Sequence, residues 1–599
     1  MAKPHGQIRR SQIITTFGPG ALLDLPNYSV IVGGLDNWSG EQREVHENRL
    51  LDKLKSILEV ADLQLLEPPK DRDDDFTPSS GVTVWQFPEW FVTQDVDKKG
   101  GSQTRSRYLV HKTSLNKNKF EDLDRNKYSV VPIRFVRACR EGHIGDINWP
   151  KFVHGDVDCK RQLYMEERGT SGDLSEIFIK CECGKAQSLL EASKMDQHTI
   201  GPCDGHRPWL GNWAKEKCGE PNRLLIRNAS NAYFPQVMNV ISIPENEDPI
   251  SGDLDKVWND VKEVESLNDL TQLFKFNKTA KEKLSAYLPE KIVAAIEEKK
   301  NKTSNRSYKP VKQAELETLL LSTDEIGEDK PDGDFFARNL PRKKWDRPWM
   351  ESIDRVVLVH RLREVTAQVG FTRFEAAAPD ISGELDLDIK VKRADLAREL
   401  KWLPAVENRG EGIFLSFSKD AIDKWVQKPE VIARSKILED GFYKWADEAK
   451  SKREFPGLPY YLLHSISHLL ITAVSLDCGY PASSIRERVY AEENSQGYGI
   501  LLFTGSPDAE GTLGGLIEVG RNIHKHLKSA LEMAELCSND PVCAHHSPPN
   551  PHEKRYLLGA ACHSCLLIAE TSCEMQNNYL DRALVIPTVE NLGAEFFRL

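Results

Sequence analysis

The placement of twelve cysteines constrains this chain more than any other feature of its sequence. Six lie between positions 139 and 218 (Cys139, Cys159, Cys181, Cys183, Cys203, Cys218), five between 537 and 573 (Cys537, Cys543, Cys562, Cys565, Cys573), and Cys478 stands alone. Clustered cysteines in a reducing compartment point to metal binding or catalysis and not to disulfides. The start, MAKPHGQIRRSQIITT, lacks an apolar stretch followed by a small-residue cleavage site, so a signal peptide is not expected. No run of about 18 apolar residues occurs; Leu462 to Leu476 comes nearest and is broken by His464, Ser465, Ser467 and His468. A cytoplasmic location follows as an expectation, and zinc as the expected metal.

The C-terminal cysteines carry the stronger signal. Cys562 and Cys565 form a CxxC knuckle, which places two thiolates within about 2.3 Å of one ion. Cys573 is the natural third ligand, and Cys537 or Cys543 the fourth; His545, His546 and His563 are further candidates. A site closed by thiolates is structural and not catalytic. In the N-terminal group, Cys181, Cys183, Cys203 and Cys218 are expected to form one all-cysteine site. Cys139 with His143, and His154 with Cys159, could form a second site of two cysteines and two histidines, a turn with a buried cysteine and a surface histidine being the alternative. Metal sites of this kind give loop-rich modules a core they otherwise lack.

With 599 residues, 40% hydrophobic and 29% charged, the chain has globular composition and room for three to five domains at roughly 100–200 residues each. Short β-like runs alternate with helical patterns, giving an expectation of a mixed α/β (α+β), multidomain fold with two or more zinc modules. The expected divisions are a mixed domain at 1–135, a cysteine-rich module at 136–225, and a strand, loop and charged helical region at 226–335. An α/β segment at 336–440 and a C-terminal domain at 441–599 follow. NKTSNRSYKP at 301–310 reads as an exposed linker, and a long helix is expected near 518–537.

The net charge of −11 excludes a global basic field, so nucleic-acid contact requires a local patch. One exists: from Asp97 to Arg140, twelve basic residues face four acidic ones, with Lys98, Lys99, Lys112, Lys117, Lys119, Arg134, Arg137 and Arg140 among the basic set. Trp85, Trp90, Phe91, Trp149, Trp209 and Trp213 lie near the basic and cysteine regions and could stack bases, although core packing is the simpler reading of most. Catalytic motifs are weak. No GxxxxGK[ST] phosphate loop is present. His464 and His468, four apart, could share a metal, but no Glu follows His464 to make HExxH, and packing within a core helix is the favoured reading. His526 and Lys528 form an HxK without the context of a phosphodiesterase. Gly511, Gly514 and Gly515 sit in a strand-to-helix turn whose amides could hold a phosphate, a tight turn being the plainer account.

Several stretches together resemble one known family: QIRRSQIITTFGPGALLDL, FVRACREGHIGDINW, ASNAYFPQV, RLREVTAQVGFTR, TGSPDAEGTLGGL and GAACHSCLLIAETSCE. They resemble the DrmB family of DISARM phage-defence components across essentially the whole chain. The C-terminal part resembles the cysteine-bearing domain at the C-terminus of Mrf-type repair helicases. The resemblance implies a non-motor accessory subunit that accompanies a helicase-like ATPase of the DrmA type, binds DNA with it, and lacks an enzymatic site of its own. It also implies zinc held by Cys562, Cys565 and Cys573 with one of Cys537 or Cys543. The basic stretch itself, through Lys112, Lys117, Lys119, Arg134, Arg137 and Arg140, is expected to supply the phosphate contacts.

Overall fold

The structure is a computed structural model. It describes residues 8–599 except 26–27, 71–80, 95–104, 170, 195–198, 212, 245–253, 255–256, 259, 265, 286, 288, 305–309, 322–323, 377–380, 384–391, 493–495 and 506–513.

Two long strands make the spine, Ile353–Thr372 and Trp402–Phe417, paired antiparallel from Ile353↔Phe417 to Ala367↔Ala405. Both are buried at most positions, as strands covered on both faces are, and the buried set includes polar and charged residues such as Arg363, Glu364, Gln368, Asn408 and Glu411. The first half of Ile353–Thr372 pairs with Phe335–Asn339, and its second half pairs with Phe234–Ser242. Trp402–Phe417 continues the sheet through Tyr498–Thr504 to Ile485–Tyr490 at the edge. Gln64–Leu66 joins it in parallel. One sheet therefore collects strands from residues 64 to 504, and it crosses the divisions expected at 335/336 and 440/441. The physical reason is strand length: a 20-residue strand is long enough to serve as template for two sets of partners.

A second antiparallel sheet runs Ala186–Ser188, Ile177–Cys181, Leu163–Glu167, Arg105–His111, Trp90–Thr93, Lys127–Pro132, Lys119–Glu121, Leu115–Asn116. It spans the expected boundary at 135/136. A small sheet of Ile144–Gly145, Phe135–Ala138 and Arg223–Ile226 lies beside it.

The region expected to be charged and helical is so. Leu267–Phe276, Lys278–Leu284 and Pro289–Ser304 close a small core of Val261, Leu270, Leu284, Ile292 and Ile296. Ser266 opens the first of these helices as a capping box with Asp269. The last helix runs to Ser304, into the expected linker, and 305–309 lie outside the described residues.

The helix Leu458–Ser475 is the centre of the C-terminal core. It is apolar on every side and buried at 15 positions, as an all-round hydrophobic helix must be. It packs on Ile485–Tyr490 and on the helix Ile523–Ala534. The expected helix at 518–537 is two helices, Gly515–Arg521 and Ile523–Ala534, broken at Asn522. Beyond Ala534 the chain is irregular apart from one 3-10 turn, Arg582–Leu584, yet it is well buried. No helix among the described residues is long and apolar enough to cross a membrane.

Candidate metal centres

Among the described residues, four clusters of Cys, His and Glu bring their ligand atoms within 4.8 Å of one another. All twelve cysteines are free thiols.

The first cluster joins Cys139 and His143 to Cys203 and Cys218. Cys139 Sγ lies 3.3 Å from His143 Nδ1 and 3.9 Å from Cys218 Sγ, and Cys203 Sγ lies 3.5 Å from His143 Nδ1. His143 Nε2 contacts Glu216 Oε1 at 2.6 Å, which fixes the ring with Nδ1 towards the sulfurs. The second cluster joins His154 and Cys159 to Cys181 and Cys183. Cys159 and Cys181 sulfurs are 3.7 Å apart, and Cys183 Sγ is 4.0 Å from His154 Nδ1.

All eight N-terminal residues singled out in the sequence fall in these two clusters, but in a different partition. Cys181 and Cys183 do not meet Cys203 and Cys218, and Cys139 and His143 do not meet His154 and Cys159. Strand pairing is the cause. Ala138 pairs with Arg223, which carries Cys139 towards Cys218; Leu163 pairs with Cys181, which carries Cys181 towards Cys159.

The third cluster is Cys537, Cys543, Cys562 and Cys565, with sulfurs 3.4 Å (537–562), 3.8 Å (543–565) and 3.7 Å (562–565) apart. Both upstream cysteines belong to it, and Cys573 does not. The tail loop carries Cys573 instead to the helix Leu458–Ser475, where it joins His464, His468 and Glu487. His545 and His546 are engaged elsewhere, with Glu590 and Glu553, and His563 is exposed. Arg582 braces the third cluster: its Nη2 donates to both oxygens of Asp540 at 2.8 and 2.9 Å, and Asp540 accepts from the amides of Cys537 and Ala544.

The donor set tests the fit of zinc. Four thiolates about 2.3 Å from one ion place their sulfurs about 3.8 Å apart, whereas a disulfide needs about 2.05 Å. The observed separations of 3.4–3.9 Å match the edges of a metal tetrahedron. Backbone amides also point at sulfur: Cys183 to Cys181, Gly205 to Cys203, and Asn539 to Cys537, at 3.3–3.4 Å. Such donors favour thiolates. Hydrogen bonding from Cys139, opposed by burial and helped by His143, brings Cys203 down to about 4, while Cys139 is pushed up. Contact with Cys543, against burial, brings Cys565 down to about 6, with Arg582 contributing.

The basic stretch is less free than its composition suggests. Lys112 pairs with Glu89, Arg134 with Glu167 at 2.8 Å, Arg137 with Asp204 at 3.1 Å and Arg140 with Glu375 at 3.2 Å. Lys117 and Lys119 stand exposed on the hairpin Leu115–Asn116/Lys119–Glu121, whose turn residues Lys117 and Asn118 have φ of 47° and 60°. Lys98 and Lys99 lie outside the described residues. Of the aromatics, Trp149, Trp209 and Phe91 are core, whereas Trp213 is 92% exposed. The turn at Gly514–Gly515 faces a buried carboxylate: Leu516 N donates to Glu411 Oε1 at 2.8 Å, so the helix amides already have an anionic partner. Gly511 lies outside the described residues.

Residues 9–234, which hold the first two clusters, match a domain of unknown function, DUF8724. Residues 466–566 match the MrfA Zn-binding domain, and this span contains all four cysteines of the third cluster. A crystal structure of the DUF1998 helicase MrfA bound to DNA aligns with 38% of this chain and 23% of its own, at 14% identity and a TM-score of 0.17, too low to carry an argument. The DISARM protein DrmB of Bacillus paralicheniformis is 31% identical over 592 residues, covering 96% of this chain and 100% of the relative. An identity of this extent, together with the zinc-binding domain, places the chain in the DrmB family of DISARM proteins.

Proposed function

We propose that this protein is a non-motor accessory subunit of a cytoplasmic anti-phage complex, which docks on a helicase-like ATPase of the DrmA type and helps to hold DNA. The observation that carries this reading is the near full-length similarity to a DISARM protein DrmB. The lack of a phosphate loop fits an arrangement in which the partner hydrolyses ATP. Zinc in the three cysteine-rich clusters would fold the loops around it and supply no reaction chemistry, because every ligand position is taken by the protein. Lys117 and Lys119 on their exposed hairpin would neutralise phosphates, with Trp213 available for stacking.

The test is affinity purification of the tagged chain from its own host, with and without nuclease. Co-purification of a helicase-like ATPase that survives nuclease is the expected result. Recovery of the chain alone, or loss of the ATPase on nuclease treatment, would remove the docking. A second reading, a protein scaffold without DNA contact, is favoured by the ion pairs that occupy Lys112, Arg134, Arg137 and Arg140. Zinc analysis of the purified chain should lose one equivalent in the Cys562→Ser/Cys565→Ser variant.

A further inference from the structure

We propose that His464, His468, Glu487 and Cys573 form a metal site of their own, holding one zinc ion, separate from the four-cysteine cluster that follows the same helix pair. It lies outside the all-cysteine set within the matched zinc-binding domain, and Cys573 and His464 fall beyond that match.

The four residues come from three parts of the chain. His464 and His468 are one turn apart on the helix Leu458–Ser475, Glu487 is on the edge strand Ile485–Tyr490, and Cys573 is in the irregular tail. None of the four side chains has meaningful contact with solvent; the histidines are 0% exposed, Glu487 4% and Cys573 7%. His464 Nε2 lies 2.9 Å from Glu487 Oε1 and 3.2 Å from Cys573 Sγ, and His468 Nε2 lies 3.3 Å from Glu487 Oε1. A tetrahedral ion with ligands at about 2.0–2.3 Å needs edges of about 3.3–3.8 Å, close to these values.

The surroundings orient all four ligands inward. His464 Nδ1 faces the Tyr579 carbonyl at 3.3 Å and His468 Nδ1 faces the Leu566 carbonyl at 2.8 Å. Carbonyl oxygens only accept, so each Nδ1 acts as the donor on its outer side, which leaves each Nε2 turned to the centre as the atom that would bind a metal. Glu487 is held by the Ser467 hydroxyl on Oε2 and by the Glu574 amide on Oε1 at 3.3 Å. Cys573 Sγ accepts the amides of Met575 at 3.4 Å and Asn577 at 3.1 Å. The amide two residues on serves Cys181, Cys203 and Cys537 in the other clusters in the same way.

The centre thus collects two imidazole nitrogens, a carboxylate and a sulfur. Four such groups in a dry interior need a metal ion or protons between them, and the tetrahedral spacing favours the ion. Zinc(II) with two neutral imidazoles, one carboxylate and one thiolate has zero net charge, which suits a buried site. With every position supplied by the protein the ion is structural. It would fasten the irregular tail to the central helix and to the edge of the main sheet.

Two measurements on the full chain test this. Zinc per chain is determined for the wild type, for Cys573→Ser/His468→Gln, and for Cys562→Ser/Cys565→Ser. Each double variant should lose one equivalent, and the four changes combined should lose two. An unchanged zinc count in a folded Cys573→Ser/His468→Gln protein would overturn the site. Because that variant could fail to fold, anomalous diffraction at the zinc edge is collected on wild-type crystals grown with zinc. A peak between His464, His468, Glu487 and Cys573 is expected. Its absence, with or without peaks at the cysteine clusters, would replace the metal with a proton-sharing network.

Discussion

Single residues decide whether buried polar groups at these sites are satisfied. Arg582 is wholly buried, and its two terminal nitrogens serve two places at once, Nη2 on both oxygens of Asp540 and Nη1 on backbone carbonyls, which the single nitrogen of a lysine cannot do. Its Nη1 donates to the carbonyls of Ala534 and Glu535, so one side chain both ends a helix and sets the loop of Cys537, while its buried Nε makes no hydrogen bond among the described residues. Asp146 shows the opposite balance. Its carboxylate accepts from the Glu89 amide at 3.0 Å, but burial pushes its pKa up to about 7. The unfolded chain loses that proton near pH 4. Between about pH 4 and 7 the folded form therefore binds more protons, and the contribution of Asp146 to stability falls as pH rises. Asp146→Asn, neutral throughout, should flatten this: relative to wild type, the variant should gain stability between pH 5 and 7.5. Urea midpoints at the two pH values measure it, and a constant difference would refute the assignment.

At the level of elements, register matters more than composition. A one-residue slip of Phe135–Ala138 against Arg223–Ile226 would turn every side chain to the other face and separate Cys139 from Cys218. The spacing of cysteines along the chain does not contain that information, which is why the eight N-terminal ligands were legible as a set but not as two sites. The hairpin carrying Lys117 and Lys119 is likewise an element-level feature. Its two-residue turn has both central residues, Lys117 and Asn118, in the left-handed region, and Lys117 in the turn and Lys119 just after it are exposed. Lys117→Glu/Lys119→Glu is expected to lower DNA affinity of the assembled complex about tenfold and to reduce its salt dependence by about two phosphate contacts. Electrophoretic mobility or fluorescence anisotropy at several salt concentrations reads both quantities. Unchanged affinity would favour the scaffold reading.

For the whole molecule, the connections between regions distant in sequence hold the structure together. Arg373, fully buried at the end of the longest strand, donates to the carbonyls of Gly142 at 2.8 Å, Ala232 at 2.5 Å and Gly20 at 2.8 Å. Its guanidinium lies 4.9 Å from the Phe371 ring centroid. One side chain thus ties the first cysteine-rich module to the end of the main sheet, beside the pairs Arg140–Glu375 and Glu141–Lys392. Arg373→Met keeps the apolar bulk but leaves three buried carbonyls without donors, and it should cost about 3–5 kcal/mol. Chemical denaturation of the full chain would show this as a lowered midpoint; a loss below about 1 kcal/mol would mean that water replaces the guanidinium.

The sequence by itself determined the chemistry available: thiols and imidazoles in two blocks, a CxxC, a locally basic stretch, a mixed α/β pattern and the family resemblance. These are local properties, fixed by residue type and short spacing. The tertiary structure alone decided which ligands share a site. It moved Cys573 out of the four-cysteine cluster and set it against His464 and His468, two residues that read from the sequence as core histidines. Their signal was present, since two histidines one turn apart in an otherwise apolar helix need partners. The partners, Glu487 and Cys573, lie 19 and 105 residues beyond His468, at distances that only strand pairing and the path of the irregular tail bring together. The same holds for the basic residues: composition counted their charges, and the fold placed carboxylates against four of them.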